Sequence, residues 1–205
     1  MVNQEAIHGF ILAGGKSSRM GEDKALMRIE GKPLVLRAAE VLRPFVQEVT
    51  LLGSPERYAE FGFPVVPDQW PDLGPLAGVC TGLLHSGAGW NIFLACDLPL
   101  LSVRFIQLLV ERIHATPADA VVPRTEDGWQ PLCAAYHARC CAVFMRGLEE
   151  NRRSLIGLFD AVQVEAITMD EMAAAGLKSD ELANLNTPED WERIAGISKG
   201  SAESS

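Results

Sequence analysis

The chain alternates apolar runs too short to be buried helices with stretches whose apolar residues recur at helical spacing, and this alternation limits the folds open to it. Gly9 to Ala13, Val46 to Leu52, Phe63 to Val66, Trp90 to Cys96, Asp119 to Pro123 and Val162 to Ile167 each have the length of a strand. Trp90 to Cys96 is continuously apolar and runs into Asp97-Leu98-Pro99, the pattern of a central parallel strand whose last residue stands at the sheet edge. The β–α order implies an α/β fold with a doubly wound, mostly parallel sheet. Gln130 to His137 follows the turn-rich segment Arg124 to Trp129 and is expected to pair antiparallel at a sheet edge.

The helices are legible from their ends. Gly31-Lys32-Pro33 reads as a turn that puts Pro33 in the first turn of a helix carrying Leu34, Ala38, Val41 and Leu42, stopped by Pro44. Pro55 to Phe61 is a short helix with Gly62 as its end signal. Leu76 to His85 mixes Ala77, Gly78, Thr81 and Gly82 with apolar residues, which predicts a closely packed helix. Ser102 can cap a helix whose apolar face is Val103, Ile106, Leu109, Val110 and Ile113. Ala138 to Glu149 is helical in pattern, and a second helical piece opens at Asn151 and ends near Phe159. Thr187-Pro188-Glu189-Asp190 has the cap, proline and acids of a helix start, predicting a closing helix to about Ile194.

At 205 residues the chain suits one core, so residues 1–197 are expected to form a single domain and residues 198–205 a disordered tail. A net charge of −9 speaks against nucleic acid and anionic membranes as partners, since both need a broad basic field. No stretch reaches the roughly 18 apolar residues of a membrane span, and a cytoplasmic protein is expected. Cys80, Cys96, Cys133, Cys140 and Cys141 show no metal-ligand spacing and read as small apolar residues. His8, His85, His114 and His137 are scattered and receive no role.

Chemistry concentrates between Ile11 and Lys24, where the first strand meets Gly14 and Gly15 and then Lys16, Arg19 and Lys24. Backbone N–H groups beside fixed positive charge are what a polyphosphate needs. Two phosphate motifs fail. The interval from Gly15 to Gly21 is one residue too long for a Walker A loop and is followed by Glu22, and no Gly-x-Gly-x-x-Gly follows the first strand.

Leu12-Ala13-Gly14-Gly15-Lys16-Ser17-Ser18-Arg19-Met20-Gly21, with Asp23-Lys24-Ala25-Leu26, resembles the signature of nucleotidyltransferases built on a Rossmann-like sheet of the glycosyltransferase-A type. In detail it is similar to the molybdenum cofactor guanylyltransferases. The resemblance continues in order through Gly31-Lys32-Pro33-Leu34, Pro67-Asp68, Gly74-Pro75-Leu76-Ala77-Gly78, Ala95-Cys96-Asp97-Leu98-Pro99, Gln130-Pro131-Leu132 and Asn184-Leu185-Asn186-Thr187-Pro188-Glu189. Leu12-Ala13-Gly14-Gly15 is the guanylyl-type form, where the related cytidylyltransferases generally carry Leu-Ala-Ala-Gly. Some family members have an asparagine after the second strand that helps read the base. This chain has Leu52-Gly53 there, where a backbone contact can substitute.

The resemblance implies roles. Leu12, Ala13, Gly14 and Gly15 would approach the triphosphate through backbone N–H groups at Ala13 to Gly15, Lys24 would contact the α-phosphate and Arg19 the leaving pyrophosphate. Asp97 would bind Mg²⁺, which takes one or two carboxylates plus phosphate oxygens and water. Asp68 matches a nucleotide-associated aspartate that can accept from guanine or from ribose. Gly78 would make room for the nucleotide or second substrate, and Asn184 and Asn186 would face the pterin, their alternation placing both amides on one side. Arg152 and Arg153 resemble an arginine pair near the cofactor's phosphate, or are a surface pair. The implied reaction is transfer of GMP from GTP to the terminal phosphate of molybdopterin, with pyrophosphate released and with proteins of molybdenum cofactor biosynthesis or acceptor proteins as possible partners. Alternatives are a same-fold transferase with another nucleotide or acceptor, namely cytidylyl transfer to the pterin, guanylyl transfer to cobinamide phosphate or transfer to a sugar 1-phosphate, and a non-catalytic nucleotide-binding module.

Overall fold

The computed structural model describes residues 5–13, 23–187, 189–192 and 194. Strands are β1 (Ile7–Leu12), β2 (Arg28–Ile29), β3 (Lys32–Pro33), β4 (Glu48–Leu52), β5 (Val65–Val66), β6 (Trp90–Ala95), β7 (Ala120–Thr125), β8 (Gly128–Trp129), β9 (Cys133–His137) and β10 (Val164–Thr168). Helices are α1 (Leu34–Leu42), α2 (Pro55–Tyr58), α3 (Pro75–His85), α4 (Val103–Ala115), α5 (Cys140–Glu149) and α6 (Met169–Ala174). Residues 189–192 and 194 are helical beyond a Thr187 cap: Thr187 Oγ1 accepts from Asp190 N at 3.1 Å, and the Asp190 carboxylate accepts from Thr187 N at 3.0 Å.

Among the described residues the main sheet is eight-stranded, in the order β10-β7-β9-β6-β1-β4-β5, with β8 paired to β7. β1 is parallel to β4 and β6, β4 to β5, and β10 to β7. The mostly parallel, doubly wound α/β expectation holds. The antiparallel strand does not lie at an edge, however: β9 sits between β6 and β7, antiparallel to both. The reason is in its residues, since Cys133, Ala134, Ala135 and Tyr136 are all buried and offer no solvent-facing side. Antiparallel pairing at the margins is supplied by β8 and by the separate β2–β3 ribbon.

Alternate residues of β1 feed different faces. Ile7 and Ile11 join Val35, Ala39 and Leu42 of α1, Phe105, Ile106 and Leu109 of α4 and Met172 of α6, whereas Phe10 joins Leu76, Val79 and Leu83 of α3 and Phe144 of α5. The helix–sheet approach is close where glycine permits it. A Cβ at Gly9 would meet Leu42 at 2.6 Å, one at Gly82 the Phe93 ring at 2.5 Å, and one at Gly78 the Leu12 side chain at 2.6 Å. Phe10 and Phe93 stack at 5.0 Å on that second face.

Local differences from expectation have local causes. Pro33 ends β3 and caps α1 from outside the helix, and its neighbour Gly31 takes φ +78° to turn the ribbon. On α4, Val103 is 49% exposed, and the buried face is formed by Phe105, Ile106, Leu108, Leu109 and Ile113. Gly62, at φ +75°, ends the turn after α2 as its position implied. The anticipated tail, residues 198–205, lies outside the described residues.

Candidate active site

The register of β1 places its last residue level with the ends of its neighbours: Leu12 pairs with Ala95 on one side and with Leu52 on the other. Cys96 N then donates to Leu12 O at 3.4 Å, so the chain leaving β6 delivers Asp97 beside the chain leaving β1. This carboxyl edge of a parallel sheet is where α/β folds collect ligands. Ala13 does not offer its amide there, contrary to expectation, because its N–H continues the ladder to Leu52 O at 3.0 Å. Gly53 N likewise donates to Val66 O at 3.0 Å, so a base contact through that amide is not open to it. Gly14, Gly15 and Arg19 lie outside the described residues.

Lys24 opens a short 3₁₀ turn, Lys24–Leu26, capped by Asp23, whose Oδ1 accepts from Ala25 N at 3.1 Å. Its ammonium donates to Leu185 O at 2.8 Å and to Asn186 Oδ1 at 2.9 Å, and lies 3.9 Å from Asp97 Oδ2. Leu185 is fully buried against Ile29, Leu34 and Ile194, and its N–H donates to Asp97 O at 2.9 Å. That packing brings a segment distant in sequence onto the site. Asn186 is exposed and Asn184 half-buried on either side of it.

Asp97 carries unspent capacity. Its Oδ1 is buried and has no hydrogen-bond partner among the described residues. Burial raises its carboxyl above the ordinary aspartate range, and Lys24 opposes that rise without cancelling it. An ionised oxygen held in this state suits a hard cation, which would supply the charge that one lysine at 3.9 Å does not. Among the described residues no three His, Cys, Asp or Glu side chains group to cage a metal by themselves. A dication here would therefore draw its remaining oxygens from phosphate and water.

The other candidates separate. Asp68 follows β5 on the same edge, and its Oδ1 accepts from Trp70 N at 2.9 Å and Thr81 Oγ1 at 3.2 Å. Gly78 is accounted for by the Leu12 side chain packed on it, so its smallness serves the α3–β1 contact rather than a ligand. Arg152 pairs with Glu150 at 3.1 Å on an exposed turn. Cys96, next to Asp97, is no nucleophile, since burial and the nearby Asp97 and Asp23 carboxylates push its thiol up to about 12. Motif reading includes Asp23 without giving it a role and passes over Tyr58. Tyr58, one of 2 tyrosines in the chain, is 2% exposed although it follows Glu56 and Arg57 in a short helix, and a large aromatic beside those charges was the available signal.

The chain is similar to known proteins in both sequence and fold. Residues 9–166 match the model of the MobA-like NTP transferase domain. The chain is 33% identical over 192 residues to a probable molybdenum cofactor guanylyltransferase of Synechococcus elongatus, covering 90% of this chain and 95% of that protein. It is 34% identical over 202 residues to the molybdenum cofactor guanylyltransferase of Serratia proteamaculans, covering 94% and 98%. In structure it is similar to molybdopterin-guanine dinucleotide biosynthesis protein A of Archaeoglobus fulgidus, with a TM-score of 0.82, 22% identity and coverage of 94% and 99%.

Proposed function

This chain belongs to the MobA-like NTP transferase family, and on that premise we propose that it transfers GMP from GTP to the terminal phosphate of molybdopterin, giving the guanine dinucleotide cofactor and pyrophosphate. The observation that carries the reading is the convergence of Lys24, Asp97 and Asn186 at the carboxyl edge of β1 and β6. An oxygen of the acceptor phosphate forms a bond to the α-phosphorus of GTP, and the α–β anhydride bond breaks with its electron pair leaving on pyrophosphate. The acceptor oxygen is already ionised at neutral pH, so no general base is needed and no histidine is called on. The protein's work is positioning and neutralisation of charge.

In this reading Lys24 exchanges one of its contacts for the α-phosphate, and Arg19 meets the departing pyrophosphate. Asp97 would hold Mg²⁺, which when bound draws the phosphate oxygens together and offsets their charge. Asp68 and the backbone at Gly14 and Gly15 serve the nucleotide, and Asn184 and Asn186 the pterin. The enzyme is read as cytoplasmic; among the described residues no helix is long and apolar enough to cross a membrane. Handover would be to other proteins of cofactor biosynthesis or to acceptor enzymes.

The test is pyrophosphate release from GTP, CTP and ATP, each with Mg²⁺ and molybdopterin. Release with GTP well above the other two is expected. Equal or better release with CTP would move the assignment to a cytidylyltransferase, and no GTP binding together with an indifferent Asp97→Ala variant would overturn it.

A further inference from the structure

Tyr58 lies at the end of α2, outside every motif shared with the family, yet it is buried with its hydroxyl aimed at the site. Its oxygen is 2.8 Å from Ala13 O, the residue that leaves β1, and 2.8 Å from Asp23 Oδ2, the residue that precedes Lys24. Burial, reinforced by the hydrogen bond and charge of Asp23, holds the phenol well above its ordinary range, so it stays protonated and donates. One proton serves two acceptors that would otherwise repel. The other Asp23 oxygen accepts from Ala25 N at 3.1 Å, so the same carboxylate that meets Tyr58 also starts the 3₁₀ turn bearing Lys24. Arg57 adds an ion pair to Asp23 at 3.1 Å, but its side chain is 63% exposed and screened.

We propose that Tyr58 is a positioning residue for nucleotidyl transfer: acting through Asp23, it ties the end of β1 to the turn that carries Lys24 and so aims the ammonium at the α-phosphate. This rests on the transferase reading above. A purely structural tyrosine would need its ring and would lose little with its hydroxyl. A positioning one needs the hydroxyl, and its loss is felt most by ligands whose phosphates reach Lys24.

The test uses Tyr58→Phe in the full chain, with the ring retained. Affinities for GTP and for guanosine are measured by calorimetry, and acetylation of Lys24 in the ligand-free protein is followed by mass spectrometry against Lys32 and Lys178 as internal references. The expected result is a loss of about tenfold in GTP affinity, the scale of one charge-assisted hydrogen bond, with guanosine, which has no phosphate, changed much less and Lys24 acetylated several-fold faster relative to the references. Equal losses for GTP and guanosine, or an unchanged relative rate at Lys24, overturn the proposal. If the unaltered chain binds no GTP, the transferase reading fails by itself and the Lys24 labelling still decides whether Tyr58 holds that turn. Should Tyr58→Phe fail to fold, Asp23→Asn breaks the same link from its other side and is held to the same outcomes.

Discussion

His8 near the amino end of β1 and Asp97 just beyond the carboxyl end of β6 are polar groups in one sheet that are treated in opposite ways. His8 Nε2 is 2.9 Å from Thr50 Oγ1 and its ring stacks on Phe10 at 4.3 Å. Nearby His137 has both ring nitrogens engaged, one 3.1 Å from Glu5 Oε2 and the other accepting from Arg139 N at 3.1 Å. Arg139 in turn reaches Asp119 at 2.7 Å and holds its carboxyl below the usual range. At the other end, Asp97 keeps an oxygen unpartnered among the described residues and sees Lys24 only at 3.9 Å. A closed network lowers the energy of the folded chain, and an open one raises it while leaving charge ready for a ligand. The amino end is built for stability, and the carboxyl end keeps charge open to a ligand.

The sharpest way to break this contrast is Asp97→Asn. Turnover is expected to fall a few hundredfold, about 3 kcal/mol of transition-state stabilisation. Thermal stability at neutral pH should hold or rise. The sign follows from the raised carboxyl: whatever the protonated form contributes is present below the ordinary aspartate range and is lost as pH rises through the raised value, so the ionised form at neutral pH is a cost. Calorimetric melting beside a pyrophosphate assay checks both, and a clear fall in melting temperature would place Asp97 among the structural groups.

Lys24→Met comes next, with an expected loss of about 2 kcal/mol in kcat/KM, roughly thirtyfold. Because Lys24 opposes the rise of the Asp97 carboxyl, the acid limb of the pH–rate profile should move to higher pH in this variant. An unmoved limb would mean that the two groups are not coupled.

Gly82→Ala tests packing away from the site. Its new Cβ would stand 2.5 Å from a Phe93 ring atom stacked against Phe10, with no room to retreat, and about 2 kcal/mol of stability should be lost in denaturant titration with the KM for GTP unchanged. Gly78→Ala meets only the tip of Leu12 and should cost less, though it presses on the last residue of β1.

The smallest effects belong to the amino end. Asn91, fully buried on β6, also has an unpartnered Oδ1 among the described residues, but it is neutral and sealed from any ligand. Asn91→Leu should raise stability by about 1 kcal/mol and leave turnover alone. His8, whose pKa is lowered chiefly by burial, stabilises the fold while both states are neutral, and that contribution fades as pH falls below its ordinary value and on through the lowered one. In His8→Gln the acid limb of the stability curve should flatten.

Much of this was legible in the chain itself, and the reason is that strand length, helix spacing and end signals are local. Short apolar runs separated by helical patterns identify a doubly wound sheet, and an apolar strand running into Asp97 marks the sheet edge where α/β folds collect ligands. Motif order identified the family, which the comparisons then bore out. What only the tertiary structure decided depends on contacts between distant residues. The interior place of β9 follows from burial on both its faces, and the spent amides of Ala13 and Gly53 follow from strand register. Lys24 meets Leu185 and Asn186 because Leu185 packs on Ile29 and Leu34. Tyr58, unremarkable in a helical stretch, reaches Ala13 and Asp23 because α2 packs beside β5 at the same end of the sheet. Periodicity says which side of an element is apolar; only the packed chain says which polar group waits on the other side.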